Sequence, residues 1–195
     1  NPTRKQTFLD IYDDSMWLIN LVENILSISR IEDGRMNLSI STELVSEVFE
    51  EALRHTNRHS GQHTITVQMD DDLLLARMDA KLIVQVLINL MDNAIKYTPA
   101  GSHIILSAAA QGETAVIQVS DDGSGIPDEA KEKVFEMFFT GENRISDSRR
   151  SLGLGLALCR TIIAAHGGTI TLSDNKPHGC IFTFTLPLGE VSLHE

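Results

Sequence analysis

Two cysteines, one tryptophan and five prolines in 195 residues leave this sequence short of features that define whole classes of protein. Cys159 falls in an apolar helical pattern and Cys180 in a strand-like run, with no CxxC or His/Cys cluster at either. Neither a disulfide framework nor a zinc site is therefore suggested, and a reducing, cytoplasmic setting is expected. Long hydrophobic runs are also missing: the longest is a handful of residues, against the roughly 20 that span a bilayer. No charged-then-apolar leader opens the chain, so any membrane attachment is expected to come through segments outside it. Positive charge is in deficit as well, with 16 Lys and Arg against 27 Asp and Glu and a formal charge of −11. Nucleic-acid binders usually display a basic face, so nucleic acid is not an expected partner, and a bound polyanion has to meet local positive charge.

What is present is ordinary for a globular protein, 42% hydrophobic and 22% charged residues, with length for one well-cored domain and an appendage. The text begins at Asn1 already inside a helical pattern, from which a piece of a longer protein is expected. Apolar residues recur at threes, fours and sevens from Phe8 to Ile31, predicting one long amphipathic helix closed by Gly34. Its heptad recurrences, Ile11, Leu18, Ile25 and Tyr12, Ile19, Leu26, favour a bundle or coiled coil over a helix lying on a sheet.

Beyond Gly34 the period changes. "MNLSI" (36–40) alternates as a short strand, "ELVSEVFEEALRHT" (43–56) returns to helical spacing, and "HTITVQM" (63–69) and "LLLARMD" (73–79) read as strands around the acidic turn Asp70 to Asp72. A helix follows from its N-cap Asp79 to Tyr97, stopped by Pro99. "SHIILSAAAQ" and "TAVIQVSDD" form a hairpin through Gly112 and Glu113, "DEAKEKVFEMFF" (128–139) is a short helix, and a polar stretch runs from Thr140 to Ser151. "LGLGLALCRTIIAAHG" is another helix, before a second hairpin of "GTITLSD" and "GCIFTFTLPL". The expected architecture is α+β, an antiparallel-dominated sheet covered on one face by helices.

Three segments carry chemistry. In "QVLINLMDNAIKYTP", Asn89, Asp92, Asn93 and Lys96 fall on one helical stripe. A solvated face would also account for them, although two asparagines are poor helix formers for that purpose. In "AVIQVSDDGSGIP", strand alternation puts Asp121 on the face of Ala115, Ile117 and Val119. A turn explains the Asp-Gly pair but not the inward direction of Asp121, whose burial costs several kcal/mol unless hydrogen-bonded. In "SLGLGLALCRTI", Gly153 and Gly155 stand where a loop becomes a helix, where bare N–H groups accept phosphate oxygens. Arg144, Arg149 and Arg150 in the preceding loop fit a polyanion or a solvated loop alike. Together the segments fit an adenine nucleotide and Mg²⁺: an acceptor in an apolar slot for an exocyclic amine, a glycine-rich helix start with Lys96 for phosphates, and the neutral Asn93 oxygen for the metal.

The order "NLMDNAIKYTP", "DDGSGIP", "VFEMFF", "LGLGLALCRTIIAAHGGTI" resembles the N, G1, F and G2 boxes of the sensor histidine kinase catalytic domain, over residues 36 to 188. The resemblance implies the Bergerat ATP-binding fold, a two-layer α/β sandwich with a mixed, mainly antiparallel sheet. "LVENILSISRIEDGRMNL" resembles the second helix of the dimerisation bundle that precedes this domain, and that helix together with "GCIFTFTLP" is similar to the potassium-responsive Kdp-type sensor kinases. Residues 1–34 would then be an incomplete dimerisation and histidine-phosphotransfer domain, 35–190 the catalytic domain and 191–195 a tail.

Carried onto these positions, the resemblance implies that Asn93 ligates Mg²⁺ with Asn89 supporting the site, Lys96 contacts phosphate, and Tyr97 packs at the nucleotide. Asp121 would accept the adenine amine, Gly123 and Gly125 would shape the base slot, and Gly153 and Gly155 would line the phosphates. Ile126, Arg150, Leu152, Leu154 and Leu156 complete the ATP-binding set, while Phe135, Phe138 and Phe139 would anchor a lid or serve as core aromatics. Two departures stand out: Ser151 replaces the usual first glycine of the G2 box, and Cys180-Ile181 replaces hydroxyl residues in the last strand, removing a hydroxyl contact near adenine.

None of the seven histidines lies in the His-Glu/Asp-Leu-Arg context of a phosphoacceptor helix. The implied activity is ATP binding and phosphoryl transfer to a histidine outside this chain, for relay to a response regulator, without self-phosphorylation. A homodimer, held in the cytoplasm by a membrane-anchored parent, is the implied assembly. Gyrase-type and mismatch-repair ATPases share the fold but place a Glu, a general base, four residues before the metal-binding Asn, where Asn89 stands here. A non-catalytic ATP-sensing module is the other alternative.

Overall fold

The computed structural model describes residues 2–56, 61–139 and 153–190. The opening helix α1 (Pro2–Glu32) ends at the turn around Gly34, where Gly34 N–H bonds Ile31 O at 3.1 Å. Among its described side chains, Ile28 is 4% exposed and Leu21 and Ile31 pack on the core, while Ile11, Leu18, Ile25, Tyr12, Ile19 and Leu26 are 40–62% exposed. The heptad residues therefore leave much of their apolar surface uncovered within this chain.

Chain order continues as β1 (Ser41–Leu44), α2 (Val45–Thr56), β2 (Thr64–Met69), β3 (Leu75–Met78), α3 (Ala80–Tyr97), β4 (His103–Gln111) and β5 (Thr114–Asp121). Then come α4 (Asp128–Lys131), a 3₁₀ turn (Lys133–Phe135), α5 (Gly155–Ala165), β6 (Ile170–Asp174) and β7 (Cys180–Pro187). The main sheet runs β2-β4-β5-β7-β6, with β2 parallel to β4 and every other pair antiparallel; β1 and β3 make a separate antiparallel pair. This is the expected α+β architecture. The inner sheet face, Ile104 and Leu106 on β4, Ile117 and Val119 on β5, Phe182 and Phe184 on β7, packs under α3 and α5. α2 lies on α3 through Val48, Phe49 and Ala52.

Each side chain of this size, fully buried, contributes about 1.5–3 kcal/mol, so the helical layer is held chiefly by this one interface. α3 starts as expected at Asp79, whose carboxylate caps Leu82 N–H at 3.4 Å. The buried His166 ties the end of α5 to the same point: its Nε2 accepts Asp79 N–H at 3.0 Å and its Nδ1 donates to Ile162 O at 2.7 Å. Both bonds require a neutral ring protonated on Nδ1.

Both strands expected around the acidic turn are present, in different sheets, β2 pairing β4 and β3 pairing β1. Two expectations are corrected. Residues 36–40 alternate in burial, Met36 and Leu38 half-covered, yet form no ladder; Ser39 N–H goes to the Asp79 carboxylate at 3.0 Å, and strand pairing begins only at Ser41. The single helix expected over 128–139 breaks after Lys131: Val134 and Phe135 are drawn into the core, Phe135 edge-on to Phe182 at 6.1 Å, and Phe138 turns to φ 64° to donate its N–H to Gly153 O at 3.1 Å.

Candidate nucleotide site

The buried row of α3, Ile83, Val86, Leu87, Leu90, Met91 and Ala94, fixes the rotation of the helix. That rotation leaves Asn89 and Asn93 half-buried and Lys96 exposed beside it, with Lys96 Nζ 5.5 Å from the centre of the Tyr97 ring. Asn89 faces the start of α5, its amide donating to Gly155 O at 3.5 Å. It also bonds the thiol of Cys159, which burial pushes up to about 12, so that cysteine stays protonated. The polar stripe and the glycine-rich helix start, 66 residues apart in sequence, are thus side by side.

The two glycines of that start differ in what demands them. Gly153 has φ 65°, and a Cβ there would lie 2.4 Å from Phe139 O, so the protein itself requires its absence. At Gly155 an added Cβ meets nothing nearer than Asn89 Cγ at 3.9 Å, ordinary contact. Packing does not call for glycine at 155. Among the described residues no side chain caps α5 at Leu154, whose own side chain is buried in the core, so the first-turn N–H groups keep the positive end of the helix dipole. Leu156 is half-buried on the same turn.

Asp121 closes the inner row of β5 after Ala115, Ile117 and Val119 and is 8% exposed. Its Oδ1 accepts N–H groups from Gly123 at 2.9 Å and Cys180 at 3.3 Å, which orients the carboxylate at the end of an apolar face. Gly123 is packed tightly, since a Cβ there would sit 2.7 Å from Thr98 Cγ2 and 2.9 Å from Asp121 Oδ1. Thr98, just past α3, donates to Ala94 O at 2.6 Å and accepts from His63 Nε2 at 3.0 Å, so the Lys96–Tyr97 end of α3 meets the Asp121–Gly123 turn. Gly125 (φ 77°) and half-buried Ile126 follow.

Of the other positions named from sequence, Phe135 belongs to the core, Phe139 is half-buried and Phe138 is 57% exposed; Arg150, Leu152, Arg144, Arg149 and Ser151 lie outside the described residues. Cys180 sits beside Asp121, whereas Ile181 pairs with Ser120 on the outer face, so only the substitution at 180 bears on the slot. Thr98, His63, Asn175, His178 and Gly179 were not singled out. The glycine of the last strand was the one legible signal, because a Cβ at Gly179 would fall 1.9 Å from Asp121 O.

Residues 78–190 match the family of histidine kinase-, DNA gyrase B- and HSP90-like ATPases, and the chain belongs to it. Within that class the fold is that of histidine kinase catalytic domains. The chain is 40% identical over 185 residues to the sensor protein KdpD of Clostridium acetobutylicum, a match covering 94% of this chain and 21% of that one. It is 28% identical to the Acinetobacter baumannii histidine kinase AdeS at a TM-score of 0.77, covering 94% of this chain and 84% of that one. It is also 28% identical to the histidine kinase ThkA in its complex with the response regulator protein TrrA, at a TM-score of 0.68, covering 88% of this chain and 49% of that one. The chain spans about a fifth of the length of the KdpD proteins it matches.

Two outcomes follow from this geometry. Gly153→Ala should cost about 1–3 kcal/mol of stability from its backbone strain, while Gly155→Ala should leave the melting temperature unchanged or higher, since alanine is the better helix former, and weaken ATP binding. Equal thermal losses at the two positions would contradict the distinction. The second concerns Asp122, which turns away from Asp121. Burial would raise its carboxyl, but bonds from His103 N at 2.9 Å, the His103 ring at 3.3 Å and Ser102 outweigh it and hold Asp122 below its ordinary value. A depressed carboxyl contributes stability above its unfolded value and loses it as pH falls through the folded one. The stabilities of the wild type and Asp122→Asn, measured by urea unfolding, should therefore converge below about pH 4; a gap constant from pH 7 to pH 3 would refute this.

Proposed function

We propose that residues 35–190 are the ATP-binding catalytic domain of a two-component sensor histidine kinase and residues 1–34 the second helix of its dimerisation and phosphotransfer bundle, with 191–195 a tail. The observation that carries the reading is Asp121, a carboxylate oriented by two backbone N–H groups at the buried end of an apolar row. Such a group suits the exocyclic amine of adenine, with Gly123, Gly125 and Ile126 shaping the slot. Lys96, Tyr97 and the start of α5 at Gly153–Leu156, which has no side-chain cap among the described residues, suit the triphosphate. Phe138, Arg150 and Leu152, flanking or within residues 140–152, complete the binding set.

A hard cation fits the donor set at Asn93. The half-buried amide offers one neutral oxygen, and among the described residues no group of three or more His, Cys, Asp or Glu provides a cage. Mg²⁺ held there would take its other ligands from phosphates and water, and when bound it would neutralise charge on the transferred phosphoryl group. Asn89, donating to Gly155 O, carries an amide where a hydrolase would carry a base, so activation of water is disfavoured and a nucleophilic imidazole is the better acceptor. That imidazole lies outside these residues, since His166 is locked in the core and no other histidine has a phosphoacceptor context.

The exposed heptad residues of α1 support a homodimer in the parent protein, and the ThkA–TrrA complex supports a response regulator as the next acceptor. The match to two sensor proteins KdpD supports a Kdp-type parent, and with it the reading of a potassium-responsive, membrane-anchored kinase that keeps this portion in the cytoplasm. No helix among the described residues is long and apolar enough to cross a membrane.

The competing readings are a gyrase-like ATPase and a non-catalytic ATP sensor. Incubated with γ-labelled ATP and a separately supplied phosphoacceptor helix, the chain should label the histidine of that helix, leave itself unlabelled and release little phosphate; Asn89→Glu should add steady hydrolysis. Rapid hydrolysis by the unsubstituted chain would select the ATPase, and ATP binding with no label transfer would select the sensor.

A further inference from the structure

The connection between β6 and β7, residues 175–179, has no part in that reading, yet its hydrogen bonds converge on the end of β5. Asn175 is held on three sides. Its N–H donates to Gly179 O at 3.0 Å, its Oδ1 accepts Lys176 N–H at 2.9 Å, and its Nδ2 donates to Asp121 O at 2.8 Å. His178 Nδ1 lies 3.0 Å from Gly123 O; a carbonyl only accepts, so Nδ1 carries the proton. Gly179 makes the approach possible, with Asp121 O occupying the space a Cβ would need.

Closing a hairpin needs no side chain that reaches past its own strands. These two reach to the carbonyls on either side of the Asp121–Gly123 bend, the bend whose N–H orients the carboxylate. We infer that Asn175 and His178 are positioning residues that set adenine selectivity, clamping the Asp121 and Gly123 carbonyls so that the carboxylate and the slot beside it keep one geometry. The inference rests on Asp121 as the base acceptor. It assigns to the hairpin loop the shell that holds a recognition group in place, a role in which small displacements cost affinity.

The test is calorimetric titration of ATP, adenosine and inorganic tripolyphosphate, each with Mg²⁺, into the chain and into Asn175→Ala, Asp121→Asn and the double variant. Asn175→Ala should weaken ATP and adenosine alike, by about tenfold for one lost oriented bond, and leave tripolyphosphate unchanged. Added to Asp121→Asn it should cost nothing further, because it acts through that carboxylate. Unchanged ATP affinity in Asn175→Ala, equal weakening of ATP and tripolyphosphate, or full additivity in the double variant would overturn the inference while leaving the adenine assignment standing. Unchanged ATP affinity in Asp121→Asn would overturn both. Should Asn175→Ala fail to fold, His178→Ala carries the same comparisons.

Discussion

An ionised carboxylate at the end of a row of Ala115, Ile117 and Val119 costs several kcal/mol unless local donors orient and satisfy it. Two backbone N–H groups around Asp121 answer that cost. Gly123 turns its N–H back onto Oδ1, Cys180 at the start of β7 adds another, and Gly179 admits the Asp121 carbonyl into space a side chain would fill. Around that group the proposed base slot would be built, and the end of α3 docks against the Asp121–Gly123 turn through Thr98. A carboxylate placed this way suits a hydrogen-bond donor, and the proposed donor is the adenine amine.

The phosphate half depends on a different constraint, the meeting of α3 and α5. The apolar row of α3 sets which way Asn89, Asn93 and Lys96 face, and the Asn89–Gly155 contact brings the start of α5 to them. At its other end α5 is fastened to the start of α3 through His166 and Asp79. One pair of helices therefore presents both the proposed metal ligand and the helix dipole. The left-handed Phe138 and the close approach of Gly153 hold residues 138–139 against the chain just before α5.

Much of this was legible in the sequence, because side-chain alternation and helical spacing are local properties. The inward direction of Asp121 followed from counting by twos along β5, and the α3 boundaries followed from Asp79 and Pro99. What was hidden depended on partners distant in the chain. Residues 36–40 have the alternation of a strand, but their backbone is answered by the Asp79 side chain. Residues 128–139 have the spacing of a helix, but the core takes Phe135 and the Gly153 carbonyl takes Phe138 N–H. Asn175 and His178 look like ordinary turn residues until the β5–β7 register sets them beside Asp121.

The central claim is that Asp121 reads the amine at position 6 of the purine. Its most direct test compares the dissociation constants of ATP and inosine triphosphate, whose carbonyl at that position would face the carboxylate oxygen to oxygen. ATP should bind at least about a hundredfold more tightly, and Asp121→Asn, whose amide can donate to the inosine carbonyl, should collapse the preference. Equal affinities for the two nucleotides in the unsubstituted chain, or a preference that survives Asp121→Asn, would contradict the account.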